Sequence, residues 1–230
     1  MSPDKYMPTL KYLDVYTDLR DDLDTLFDKI SCRTEIRFAK KNGIIVKIIE
    51  GKKDPQIVAD CVLLQRALLK RKMVPFPFIF KQMLEDEKNV LFVGYKDGKI
   101  VSFILINPRN ATNIYLSDHK LARLELQGND DEYKRFCAVY LLVWSAITYL
   151  KERGYEYLFW GYSHYINCPD PEFESVAFFK RKWNIVGHEV EEPTSLSRYI
   201  YFRYLRRFAF VKKIVYLIKL YILKQEWNEA

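Results

Sequence analysis

Three histidines, a short run of lysines and a scatter of tyrosines are the side chains in this sequence best suited to chemistry. His119, His164 and His188 are the only histidines among 230 residues. His164 follows closely on a strand-then-glycine element, and there it reads either as a base for an amine that must lose a proton near neutral pH or as a surface loop histidine. Ser117-Asp118-His119-Lys120 reads as a turn between strands. Lys180, Arg181 and Lys182, in the run FFKRKW, have the character of a solvated helical last turn that complements the helix dipole. Tyr115, Tyr162 and Tyr165 are candidates for lining a pocket, while most of the 17 tyrosines and 15 phenylalanines fill core and sheet faces. No Ser-His-Asp order, carboxylate pair or P-loop is present. Cys32, Cys61, Cys137 and Cys168 form no CxxC pair, which predicts free thiols, a reducing cytoplasm and no zinc site.

These residues need elements to position them. Apolar Leu19, Leu23, Leu26, Phe27 and Ile30 at helical spacing predict a helix over Asp18 to Lys29. Gly43 breaks the pattern, and Ile44 to Ile49 reads as a β-branched strand. Asp54 as cap and Pro55 at the first helical position predict a helix through VADCVLLQRALLKRK, followed by a shorter one in FIFKQMLEDE. Asn89 to Ile106 reads as a hairpin turning at Lys96-Asp97-Gly98, with further strands over Thr112 to Leu116 and Leu121 to Leu126. The run Asn129-Asp130-Asp131-Glu132 reads as the acidic cap of a long helix through Tyr149, closed by Gly154. A strand Tyr155 to Trp160, Gly161, a helix from Glu172 to Trp183, and strands at Ile185 to Val190 and Arg198 to Tyr204 complete the pattern.

That order resembles the GNAT acyltransferase fold, and four segments are similar to its Fem-type branch of aminoacyl and peptidyl transferases. RTEIRFAKKNGIIVKI (Arg33 to Ile48) resembles the opening Fem-type motif, and LLQRALLKRKMVPFP (Leu63 to Pro77) resembles the helix ending in a basic pair and a proline-containing turn. WSAITYLKERGYEYLFWGYSH (Trp144 to His164) is similar to the helix and strand ending in a site-lining glycine. FFKRKWNIVGHEV (Phe178 to Val190) resembles the Phe-Lys element near the C-terminal end. The resemblance implies an α/β (α+β) fold, with a central, mostly antiparallel mixed sheet flanked by helices in one GNAT-like domain. The expected division is an N-terminal segment with a short helix (1–32), the acyltransferase domain (33–204) and a basic amphipathic C-terminal helix (205–230). Only about 30 residues precede Arg33, so the first of the two tandem domains usual in Fem-type enzymes is expected to be missing, as is the coiled-coil arm that binds tRNA. A homodimer is one way to rebuild the acceptor site.

The resemblance also implies roles. Phe179-Lys180 is placed beside the reacting ester or thioester carbonyl, where a desolvated ammonium would stabilise the oxyanion of acyl transfer. Lys180 and His164 are thus the expected catalytic residues, and Phe179, Gly161, Tyr162, Tyr115 and Arg37 the expected substrate-binding ones. The expected reaction transfers an acyl or aminoacyl group to an amine on a cell-envelope or lipid-linked acceptor. No cofactor is expected to be permanently bound. The donor is either aminoacyl-tRNA, which would be the sole nucleic-acid partner, or acyl-CoA. Acetyl-CoA-dependent GNAT enzymes cradle pyrophosphate on backbone N–H groups of a Gly-rich loop. Leu126 to Glu132 has one glycine and three carboxylates, which argues against acyl-CoA. The alternatives are an acyl-CoA N-acetyltransferase and a non-catalytic basic adaptor for membrane or nucleic acid.

Charge locates a second feature. The chain carries 37 basic and 30 acidic residues, yet residues 196 to 230 hold 8 basic groups against Glu226 and Glu229. A near-neutral body with a basic C-terminal segment predicts a local anionic partner. From Leu205 to Lys224, Phe210, Val211, Ile214, Leu217, Ile218, Tyr221 and Ile222 share one helical face, with Arg206, Lys212, Lys213, Lys219 and Lys224 in the opposite sector. Such a helix suits the plane of an anionic membrane, so the expected location is cytoplasmic and peripheral at the inner membrane face; the competing expectation packs the face on the domain. The longest uncharged run, Phe136 to Leu150, is 15 residues, short of the roughly 18 to 20 a spanning helix needs.

Overall fold

Period-two alternation builds the centre of the molecule. In the computed structural model, which describes residues 8–74, 76–77, 79–109, 120–166, 171–205 and 208–221, strands β3 (Val90–Lys96) and β4 (Lys99–Asn107) form the expected hairpin. Asp97 and Gly98 both take positive φ, 51° and 78°, the requirement of the tight two-residue turn that Asp-Gly favours. Phe92, Ile104 and Ile106 belong to one buried cluster, while Leu91, Val93, Phe103 and Leu105 belong to another. Helices cover both faces, which explains why these strands are almost continuously apolar.

The sheet has seven strands in the order β2-β3-β4-β5-β6-β1-β7. The others are β1 (Thr9–Asp18), β2 (Ile45–Ile49), β5 (Leu121–Asn129), β6 (Tyr157–Tyr165) and β7 (Ile185–Pro193). Every neighbouring pair is antiparallel except β5 with β6. Helices α1 (Leu23–Lys29), α2 (Arg33–Lys41) and α5 (Ala138–Glu152) contribute Leu26, Ile36, Ala39 and Leu142 to the first cluster; Trp183, just past α6 (Pro171–Arg181), completes it. Helices α3 (Pro55–Arg71) and α4 (Ile79–Glu85) cover the other face with Val58, Cys61, Val62 and Leu84. Asp54 caps α3 by accepting from the Gln56 N–H, with Pro55 at the first helical position as expected.

Four local expectations are corrected. Residues 9–18, left outside the domain by the sequence reading, form β1 in the sheet between β6 and β7, with Leu10, Val15 and Thr17 buried. The helix expected from Asp18 therefore starts only at Leu23, where Asp22 caps it by accepting from the Thr25 N–H. Arg198 to Tyr204 is not a strand. The Ser195 hydroxyl accepts from the Arg198 N–H and starts α7 (Leu196–Ile200), which runs into a wide turn over Tyr201–Leu205, and Tyr199 and Phe202 pack on Leu10. Finally, Asn129 to Glu132 does not cap the long helix. Asn129 ends β5, with its side chain bonded to Ser102; Asp130 pairs with Lys99, and Asp131 with Arg71 and Lys134. Helix α5 starts only after Cys137, and its first turn has neither an acidic residue nor a side-chain cap.

At the C-terminus, α8 (Ala209–Tyr221) forms within the expected helical segment. No described helix is long and apolar enough to cross a membrane.

Candidate active site

The one parallel pair of strands supplies an opening. β5 and β6 are each nine residues long, yet they pair only through Leu121 with Tyr157, Ala122 with Leu158, and Arg123 with Phe159. Past that point β5 stays with β4, β6 stays with β1, and the two splay apart. At the point of divergence β6 bulges. Phe159 lies opposite Tyr16 and Tyr162 opposite Asp14, so Trp160 and Gly161 together face the single residue Val15. Gly161 takes φ +69°, a conformation glycine adopts without the steric cost of a side chain. The strand expected to stop at Gly161 thus continues through it, and the bulge contains the Trp160 carbonyl.

Lys180 occupies that carbonyl. Its Nζ donates to the Trp160 oxygen at 2.7 Å, and the side chain is only 8% exposed, although its neighbours Arg181 and Lys182 remain in contact with solvent. Burial pushes the ammonium down to about 7; the negative charge of Asp14 opposes this and Arg123 adds to it. The Asp14 carboxyl is pushed up, chiefly by its own burial, against the pull of Lys180, Arg123 and His188. His188, directly across the β1–β7 ladder from Asp14, places Nε2 3.2 Å from the Tyr16 hydroxyl and stacks on that ring. Arg123 lies over Phe159, with its Nε 3.4 Å from Glu125. Lys180, Asp14, Arg123, His188 and Tyr16 therefore form one charged and polar group at the splay.

Aromatic packing aims the lysine. Phe179 sits 5.2 Å from Tyr140 and 6.2 Å from both Trp160 and Trp183, ring centre to ring centre, and Trp183 is fully buried. The Trp160 indole N–H donates to the Thr17 hydroxyl at 2.9 Å, which donates to the Trp183 carbonyl at 3.1 Å. That chain ties β6 and β1 to the end of α6. Lys182 serves elsewhere: its Nζ pairs with Glu35 at 2.5 Å, and its carbonyl accepts from the Ser31 N–H at 2.9 Å, anchoring the end of α6 to α2.

Among the residues expected at the site, Lys180, Phe179 and Gly161 come together. Arg37 is exposed on α2 over the Phe27 ring, 5.4 Å from its centre, and belongs to a different surface. Tyr162 and His164 lie on β6 directly after the bulge, with side chains outside the described residues, as is Tyr115 altogether. The sequence reading missed Asp14, Tyr16, Arg123 and the use of His188. A β-rich TLKYLDVYT run signalled the strand that carries the first two, but nothing local linked it to Lys180. A separate cavity of about 480 Å³ between α3 and α4, lined by Lys52, Lys53, Val62 and Arg66, lies on the sheet face away from α6. Among the described residues no group of three His, Cys, Asp or Glu side chains could hold a metal ion.

A seven-stranded mixed sheet flanked by helices, with a splayed parallel pair at its middle, is the GNAT fold, and solved structures share it. The chain superposes on a crystal structure of FemX with a TM-score of 0.62 at 14% identity, covering 86% of this chain and 65% of that one. It is also similar to the C-terminal domain of a putative lysylphosphatidylglycerol synthetase from Agrobacterium fabrum (TM-score 0.57, 14% identity, 86% and 68% covered). L-PGS from Bacillus licheniformis gives 0.57, 15%, 87% and 66%. The chain thus spans less than two thirds of the FemX structure. No protein-family description matches it, and no curated protein does.

Proposed function

We propose that this protein is an N-acyltransferase that joins an acyl or aminoacyl group to a primary amine at the β5–β6 splay. The observation that carries this is the buried Lys180, held on the Trp160 carbonyl at the bulge of a GNAT-fold sheet. Fold alone hosts many activities; a lysine kept 8% exposed beside two other charged groups is a feature of the site.

The amine attacks the donor's carbonyl carbon, the C–N bond forms, and the carbonyl electron pair moves to oxygen. Lys180, in its protonated form, is held by one N–H on the Trp160 carbonyl and brings its positive charge to that oxyanion in a buried site. Collapse re-forms the C=O, breaks the bond to the leaving alkoxide or thiolate, and releases the amine's proton, which protonates the leaving group. Asp14, whose carboxyl feels the charge of Lys180, and His188 across the ladder from it are the groups available to relay that proton.

The ladder between β5 and β6 stops at Arg123 and Phe159, and the backbone edges beyond suit an extended donor arm that carries amides. Two of the three carboxylates that argued against acyl-CoA, Asp130 and Asp131, pair with Lys99, Arg71 and Lys134, and all three lie off the start of α5, so they do not bar acyl-CoA as donor alongside aminoacyl-tRNA. The test is to incubate the purified chain with acetyl-CoA or with charged tRNA and a panel of primary amines, and to look for the amide by mass spectrometry. Amide formation that disappears in Lys180→Ala supports the proposal. No amide from either donor, or amide formation that survives the substitution unchanged, refutes it.

A further inference from the structure

Residues 196 to 221 contain Arg198, Arg203, Arg206, Arg207, Lys212, Lys213 and Lys219 and no acidic residue. The same stretch contains nine of the nineteen large apolar side chains exposed among the described residues, so charge and exposed apolar surface are concentrated together. On α8 the exposure is ordered. Phe210 is 64% exposed, Ile214 52%, Ile218 43% and Leu217 39%. At 100° per residue these four fall in an arc of about 100°, with Lys213 just beyond one edge. Val211, Val215 and Tyr216, outside that arc, are half-buried, so the large exposed apolar side chains of α8 are confined to this face. Leu196 and Ile200 on α7, four residues apart, are exposed in the same way.

We infer that α8 lies on an anionic lipid bilayer, with Phe210, Ile214, Leu217 and Ile218 set into the headgroup–acyl boundary and Lys213 at the phosphate level. A helix of thirteen residues, about 20 Å long, is too short to span a bilayer but suited to lie along its surface. Lys213 flanks the apolar arc, so its stem can reach the headgroup layer, while Lys212 and Lys219 on the opposite side add long-range attraction to an anionic surface. Charge selects this occupant over the others. A second copy docked face to face would bring two wholly basic segments together with no carboxylate to offset them. A nucleic acid would meet a face on which Ile214, Leu217 and Ile218, three of its four residues, offer no flat surface for stacking bases. An anionic bilayer answers both the basic and the apolar character. This inference does not rest on acyl transfer, since binding is measured without any donor or acceptor.

The experiment is co-sedimentation of the full chain with vesicles of phosphatidylcholine alone or mixed with phosphatidylglycerol, at low and high salt. The chain is expected to pellet with the anionic vesicles, to stay in solution with neutral ones, and to be released by salt. I214E/I218E, at two exposed positions, is expected to weaken binding at least about tenfold with an unchanged circular dichroism spectrum. K213E/K219E is expected to weaken it about thirtyfold or more. The inference fails if the wild-type chain ignores anionic vesicles or if neither double variant alters binding. It also fails if I214E/I218E instead dissolves a dimer seen by light scattering while vesicle binding is absent, which would assign the face to a second copy.

Discussion

The Nζ of Lys180 lies 2.7 Å from the carbonyl oxygen of Trp160, inside the bulge at Gly161. The bond joins the last turn of α6 to the middle of β6. It turns a residue that by composition belongs to a solvated helix end into a buried amine.

Lys180→Ala is expected to lower acyl transfer by roughly 100-fold or more, the scale for losing one oxyanion donor, with a normal fold by circular dichroism. Lys180→Met, which keeps the length of the stem, is expected to lose activity equally. Transfer by the methionine variant at the wild-type rate would remove the charge from the mechanism.

The pH dependence follows from the same burial. Protonated Lys180 is the active form, so kcat is expected to fall as pH rises through about 7, and this basic limb is expected to be missing from the residual rate of Lys180→Met. A limb of the same position in both enzymes would belong to another group.

Stability moves the other way. In the fold the lysine releases its proton at about 7, whereas the unfolded chain holds it to 10.5. Below 7 both states are protonated and the fold carries the full cost of the buried charge. Between about 7 and 10.5 the unfolded chain binds more protons, so stability rises with pH by up to about 1.4 kcal/mol per unit, and above that window it levels off. Urea unfolding of wild type and Lys180→Met across this range checks it; the two curves should converge toward high pH.

Thr17→Val removes the hydroxyl between the Trp160 indole and the Trp183 carbonyl and leaves two buried polar groups without that partner. A loss of about 2 to 4 kcal/mol is expected, together with reduced kcat, because the chain it breaks holds the Trp160 and Trp183 segments that flank Lys180. Chemical denaturation measures the first and steady-state kinetics the second.

Lys182→Ala separates structure from chemistry. Its pair with Glu35 is partly buried, with side-chain exposures of 19% and 25%, so about 1 kcal/mol of stability is expected to go. The kinetic constants of the remaining folded enzyme are expected to stay near wild type. A loss of kcat as large as that of Lys180→Ala would mean that the two lysines act together.

Local rules settled much of the fold from sequence. Asp97-Gly98 determines the hairpin because both positions need positive φ; Asp54-Pro55 determines the start of α3; and the continuous apolar runs of β3 and β4 demand helices on both faces. The alternation of lysine and apolar residues in the tail determines an amphipathic helix wherever it rests. What the sequence could not settle are relationships across long separations. Asn129 to Glu132 has the composition of a helix cap, but pairing with Ser102, Lys99 and Arg71 holds it at a strand end. Arg198 to Tyr204 has strand-like residues, but Ser195 caps a helix and Leu10 receives its aromatics. The site is the extreme case. Asp14, Arg123, Trp160, Lys180 and His188 meet only because β1 inserts between β6 and β7 while β5 and β6 diverge. Burial and charge depend on that three-dimensional neighbourhood, so only tertiary structure made Lys180 differ from Lys182, two residues away in the same basic run.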